Sequence, residues 1–303
     1  MPSRQHEDLV AGITAAGMST PETPPTADEM AASRSAESAL APSPPGDLAL
    51  EEVDLGGVPA LWVRPPDPRD DVVLVYLHGG GYIWMTPRTH LAAIGALARA
   101  TGAACLAVDY RRAPEHLYPA AVDDLVAAYR WLLTKGQSAD QIVLMGDSAG
   151  GGLVLGALVA LRDAGVELPA GAVCFSPWTD LTVSGPSADS ADDPVVSGNA
   201  LRMMASLYLG PADATSPTAS PLFADLAGLP PIQIHVGTRE SLLDDSRRFA
   251  AAALAAGVDC ELVEHAGVIH MWIVFDPDLP ESVTAFEAAA RFVDRVIAVA
   301  PSR

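Results

Sequence analysis

Basic residues are scarce in this chain. Eighteen lysines and arginines stand against 38 acidic residues, the formal net charge is −20, and Lys135 is the only lysine. A surface this negative repels phosphate backbones and anionic bilayers, which excludes a nucleic-acid partner and argues against a membrane one. Cysteine is scarce as well. Cys105, Cys174 and Cys260 sit in apolar, strand-like runs without regular spacing. They offer neither a disulfide framework nor a metal signature and read as buried structural thiols. No apolar run reaches the ~20 residues of a membrane-spanning helix. Leu9 to Met18 is too short, and Glu7 and Asp8 stand where a secretion signal carries positive charge. The expectation is a soluble, cytoplasmic protein.

Half of the 303 residues are hydrophobic, enough for one large α/β domain with a small accessory region. Residues 1–46 are set apart by Ala, Ser, Thr, acids and prolines at 21, 24, 25, 42, 44 and 45. One helix is expected there, over Ala27 to Leu40, with the rest loosely ordered. Residues 47–303 read as one α/β domain. Short β-favouring runs occur at Leu48 to Leu55, Pro59 to Val63, Val72 to Leu77, Ala103 to Val108, Gln141 to Met145, Gly171 to Phe175, Ile232 to Val236 and Asp259 to Val263. The first two, joined by Gly56-Gly57, suit an antiparallel hairpin. The others are mostly apolar and alternate with helix-like stretches, which predicts a mostly parallel sheet covered on both faces. The Ser-, Pro- and Asp-rich stretch at about 181–222 breaks the alternation and reads as a cap insertion, with a helix near Asn199 to Leu209.

Chemistry concentrates in three places. Gly146-Asp147-Ser148-Ala149-Gly150 follows a strand and opens a helix, the setting of a nucleophile elbow. The turn is so tight that side chains two residues to either side of the serine would clash, and glycine removes them. His78-Gly79-Gly80-Gly81 follows the strand Val72 to Leu77 and reads as an oxyanion loop. Gly79 and Gly80 are the expected N–H donors, with Ala149 as a third. The base of such a fold comes last in the chain. Of the two late histidines, His270 lies in a loop that can reach over the elbow, while His265 ends a strand and packs or faces solvent. The third member belongs after the strand Ile232 to Val236. Glu240 occupies that loop and is favoured over Asp244, since Asp244 and Asp245 also suit the start of the next helix. Glu115 and His116 read as anchors of the loop after Ala103 to Val108. Tyr82, Trp84 and Met85 either line a pocket or pack under the cap.

These motifs, with Asp109-Tyr110-Arg111-Arg112-Ala113-Pro114-Glu115-His116 and Ser176-Pro177-Trp178-Thr179-Asp180, resemble the bacterial hormone-sensitive-lipase family of esterases over about residues 48 to 298. The resemblance implies an α/β-hydrolase fold with an eight-stranded, mostly parallel sheet and a small helical cap built from the N-terminal segment and the insertion. It implies a serine carboxylesterase for short- to medium-chain esters, no cofactor, no metal and pairing into homodimers. Many members carry Asp where this chain has Glu240. The pattern His235-Val236-Gly237-Thr238 followed by Leu242-Leu243-Asp244-Asp245-Ser246 also resembles lactone-hydrolysing relatives. An amidase or peptidase shares the same triad, and a non-catalytic receptor shares the fold, although such receptors lack the base that His270 supplies here.

Overall fold

A computed structural model describes residues 1–40 and 46–299. The period-2 pattern of the strands sorts their side chains into two cores. In β3 (Arg69–Leu77), Leu74 and Tyr76 point to one face of the sheet, and Val75 and Leu77 to the other. The hairpin β1 (Ala49–Asp54) and β2 (Pro59–Arg64) is antiparallel, and β2 pairs antiparallel with β4 (Ala103–Val108). From there every neighbour is parallel, through β3, β5 (Ile142–Asp147), β6 (Gly171–Phe175), β7 (Ile232–Gly237) and β8 (Cys260–His265). The sheet order is β1-β2-β4-β3-β5-β6-β7-β8.

Before the sheet come α1 (Arg4–Ala16) and α2 (Ala27–Leu40). Within and after it come α3 (Leu91–Thr101), α4 (Ala120–Thr134), α5 (Ala149–Asp163), α6 (Ser187–Ser190), α7 (Gly198–Leu209), α8 (Leu243–Ala255), α9 (Trp272–Phe275) and α10 (Pro280–Val299). One face of the sheet is covered by α3 and α10, where Ile94, Leu97, Phe286 and Phe292 share a core with Leu74 and Val143. On the other face Leu125, Leu155 and Phe249 of α4, α5 and α8 share a core with Val75 and Leu144. Parallel strands covered on both faces put their carboxyl ends, and the loops they feed, at one edge of the sheet.

The helix expected over Ala27 to Leu40 is α2. Part of the stretch expected to be loosely ordered forms a helix, α1. Ser3 caps its N-terminus by accepting the His6 N–H, and Gly17 closes it in the left-handed conformation at φ 62°. Those signals are short and sit beside a proline-rich stretch, which masks them. The proline cluster at 42, 44 and 45 lies outside the described residues. The insertion carries α6 and α7. Among the described residues no helix is long and apolar enough to cross a membrane, and Cys105, Cys174 and Cys260 are free and buried.

Candidate active site

Ser148 stands between the last residue of β5 and the first of α5, at φ 53° and ψ −121°. A non-glycine residue there is strained by about 1–3 kcal/mol and is held only because its surroundings leave no alternative. Its N–H donates to the Phe175 carbonyl at 2.8 Å, and its own carbonyl accepts from Trp178 N at 3.0 Å. The flanking glycines are required sterically. A Cβ on Gly146 would sit 2.6 Å from the Gly150 backbone, and one on Gly150 would sit 2.1 Å from the Leu77 carbonyl oxygen.

His270 lies in the loop between β8 and α9, and its Nε2 is 2.9 Å from Ser148 Oγ. Its Nδ1 is 2.7 Å from Glu240 Oε2. A carboxylate only accepts, so Nδ1 carries the proton and Nε2 is left bare to accept the serine O–H. The other Glu240 oxygen accepts Gly237 N at 2.5 Å and Ser176 Oγ at 2.7 Å. Both His270 and Glu240 are buried. Burial alone would lower the His270 pKa. The Glu240 bond and charge, with further help from Asp193 and Asp147, outweigh it, and the net shift is upward from 6.5. Ser148 and His270 line a cavity of about 350 Å³ whose walls include Trp84, Met85, Val195, Leu201 and Met204.

A family model for the alpha/beta hydrolase fold matches residues 74–274. The chain belongs to the α/β-hydrolase family. Among solved structures, an esterase from the bacterial hormone-sensitive lipase family is 43% identical to this hydrolase. It superposes with a TM-score of 0.90 over 98% of this chain and 100% of that one. An esterase/lipase from an uncultured bacterium is 41% identical, with a TM-score of 0.91 and the same shares. An acetyl-hydrolase of Streptomyces hygroscopicus is 47% identical over 252 residues, 82% of this chain and 83% of that protein. The resemblance carried by the motifs therefore holds, and with it the eight-stranded fold.

One expected donor of the hydrolase is misplaced. The Gly79 N–H donates to Asp147 Oδ1 at 3.0 Å, so it is turned into the protein and away from the cavity. The cavity wall carries Gly80 and Gly81 instead. Among the described residues no hydrogen bond uses the N–H of Gly80, Gly81 or Ala149. The error has a physical source: three consecutive glycines are equivalent in sequence, and only the tether to Asp147 sets which of them face the site.

Asp147 does more than fill the second place of the elbow. Its Oδ1 also accepts Tyr76 Oη at 2.8 Å, and its Oδ2 lies 3.4 Å from His90 Nε2. It is fully buried, which would raise its pKa, yet His90, Tyr76 and His78 hold it below the ordinary carboxylate range. His78 is structural, as expected. Burial pushes its pKa down to about 3, and its ring stacks on Tyr110 at 4.2 Å.

Other acids resolve as anchors. Asp245 accepts the N–H groups of Thr179 and Asp180 at 2.8 and 2.9 Å, and Asp244 accepts Ser187 N at 2.7 Å. They hold the loop after β6 and the insertion, and His270 bonds Glu240. His265 lies with its Nε2 3.0 Å from His235 Nδ1. Glu115 forms an exposed ion pair with Arg34 of α2. Trp84 and Met85 line the cavity, while Tyr82 packs face to face on Tyr208 at 3.9 Å. Sequence reasoning misses Asp193, in the insertion. Its carboxylate accepts Val195 N at 3.0 Å and Ser241 N at 3.1 Å, next to Glu240. Burial, and then the Glu240 charge against the opposing pull of His270, push its pKa up to about 6. Nothing in the Asp-rich run Asp189 to Asp193 distinguishes it in sequence.

Proposed function

We propose that Ser148 is the nucleophile, His270 the base and Glu240 the acid of an acyl-enzyme mechanism, with the N–H groups of Gly80, Gly81 and Ala149 holding the oxyanion. The protein is a carboxylic ester hydrolase. The observation that carries the residue roles is the unbroken bond path Glu240–His270–Ser148 at 2.7 and 2.9 Å, with its serine end open to the cavity. His270 takes the Ser148 proton as Oγ adds to the ester carbonyl. The negative oxygen is then held by the N–H groups of Gly80, Gly81 and Ala149, which no other group takes among the described residues, and the start of α5 also favours an anion. His270 returns the proton to the leaving alcohol, then draws one from water as it cleaves the acyl-enzyme. Glu240 keeps its charge throughout and stabilises the imidazolium.

The substrate reading is a short- to medium-chain ester or a lactone. A cavity of about 350 Å³ lies at the small end of ligand sites, and its apolar walls suit a short acyl chain. Residues from α2 and α7 and from the loops after α1 and before α7 all contribute to that cavity. This supports a cap made of residues 1–46 and of the insertion at about 181–222. Three free thiols support a reducing, cytoplasmic setting. The test is hydrolysis of p-nitrophenyl esters from acetate to palmitate beside a simple lactone and a p-nitroanilide. The expected result is fast turnover of short esters, little of palmitate or anilide, and none with Ser148→Ala. Anilide cleavage matching the esters would turn the reading to an amidase.

A further inference from the structure

The N-terminal helix lies on the loop that carries the base. Pro2 packs so closely on Gly267 that a Cβ there would meet it at 2.7 Å. Ser3 Oγ donates to Glu281 Oε2 at 2.9 Å and fastens the start of α1 to α10. Two residues of α1 are buried, His6 and Ile13, seven apart and therefore on one face. Ile13 packs in a small cluster with Ile269 and Met271, the two neighbours of His270. His6 is fully buried, and its Nε2 lies 3.2 Å from the backbone N of Ile269 as the acceptor of that N–H. Ile269 is fully buried as well, so water cannot replace His6 as the partner of that N–H.

We propose that His6 is a positioning residue for the base: by accepting the Ile269 N–H it sets the backbone that aims His270 at Ser148. This rests on the reading of His270 as the base. The role demands one tautomer. An Nε2 that accepts must be bare, so the proton sits on Nδ1, which is buried with no partner. Protonation of Nε2 would set two donors against each other and release the loop. Burial, the largest influence, keeps the ring neutral at pH 7, and Arg239 from the loop after β7 acts in the same direction. Glu281 of α10 and Glu7 of α1 pull the other way. His6 touches neither the cavity nor the reacting atoms. His6 itself therefore acts on the reaction through the loop, although Ile13 of the same helix also packs on Val195 and Met85 of the cavity wall.

The near-isosteric pair His6→Gln and His6→Met separates acceptance from packing, since Gln can take the Ile269 N–H while a Met thioether accepts only weakly. With p-nitrophenyl butyrate, His6→Met is expected to lower kcat by about tenfold or more with KM within about threefold, because a small misplacement of a reacting group is expensive. His6→Gln is expected to stay within about threefold of wild type. The acid limb of kcat/KM should also move to lower pH in His6→Met, because a base that is held less firmly against Glu240 loses part of what raises its pKa. Equal losses in both variants, or a His6→Met enzyme with unchanged kcat and acid limb, would overturn the proposal. If His6→Met does not fold, the wild-type protein decides. Nitrogen NMR should find His6 protonated on Nδ1, with scalar coupling between Ile269 N and His6 Nε2. A proton on Nε2, or no coupling, would overturn it equally. Ser148→Ala tests the esterase reading independently of both variants.

Discussion

The two walls of the active site are supported in different ways. On the nucleophile wall the supports that touch the elbow belong to the sheet and its own loops. Asp147, at the end of β5, takes Tyr76 of β3 and Gly79 of the glycine loop on one oxygen, and β6 takes the Ser148 N–H. On the base wall the sheet also contributes, through Gly237 at the end of β7 and the loop that follows it, but supports from outside the sheet are added. His6 of α1 holds Ile269, and Asp193 of the insertion holds Ser241, next to Glu240. A strained serine needs rigid neighbours, and a parallel sheet supplies them. A histidine on a loop beyond the sheet edge is held by fewer of them, and the N-terminal segment and the insertion add to that support. On the proposed roles, the accessory elements support the base as well as line the cavity.

The largest effects should come from the residues both walls present. Ser148→Ala should lower kcat by about 10⁴-fold or more and leave the melting temperature within about 2 °C, since Oγ bonds only His270. Activity within tenfold of wild type would remove Ser148 from the mechanism. Glu240→Ala should lower kcat about 10³-fold or more, through loss of the tautomer and of the imidazolium partner. Asp244→Ala should stay within about fivefold, because Asp244 holds Ser187. The reverse ranking would reassign the acid.

Asp147→Ala probes the internal support. It leaves the Tyr76 hydroxyl and the Gly79 N–H buried without an acceptor, at about 1–3 kcal/mol each. Urea unfolding should therefore show a loss of about 2–5 kcal/mol, with kcat/KM down about 10- to 100-fold as the glycine loop shifts. Unchanged stability would mean that the nucleophile wall does not depend on this carboxylate.

The same contrast decides what can be read from sequence. The nucleophile wall is legible because its constraints are local. A tight turn needs glycine at Gly146 and Gly150, and an apolar run before it marks β5. The strand bounds Ala103 to Val108 and Gly171 to Phe175 are legible for the same reason: each is a run of apolar residues closed by a turn. Glu240 and His270 follow from chain order and loop position. The supports of the base are not legible. His6 is 264 residues from His270 in sequence, and Asp193 is one acid among many in its run. Only folding brings such residues to their partners, and neither leaves a short-range pattern. The Gly79 error sits between these cases, since the motif is visible but its internal orientation depends on Asp147.

The pH profile sharpens the comparison with smaller effects. His270 must be neutral to accept the Ser148 proton, and its pKa is raised. The acid limb of kcat/KM should then have its midpoint above 6.5, with activity lost as the pH falls through it. Asp193 contributes to that raise, so Asp193→Asn should move the midpoint to lower pH by roughly half a pH unit or less. A shift to higher pH would show that Asp193 does not stabilise the protonated base.

The smallest effect is expected where α2 meets the nucleophile wall. Arg34 forms an ion pair with Glu115, whose side chain is 54% exposed, and also donates to the carbonyls of Ile83 and Ala113. Exposed ion pairs contribute little, because water screens them and two long side chains must be ordered. The bonds to carbonyls are different in kind, since they tie the chain just after the glycine loop at Ile83 to the loop after β4 at Ala113. Glu115→Ala should therefore leave kcat/KM within about twofold and the melting temperature within about 2 °C, while Arg34→Ala should lower both measurably. Equal behaviour of the two variants would mean that α2 reaches the oxyanion loop through its surface charge, and the internal support of the nucleophile wall would then extend no further than Asp147.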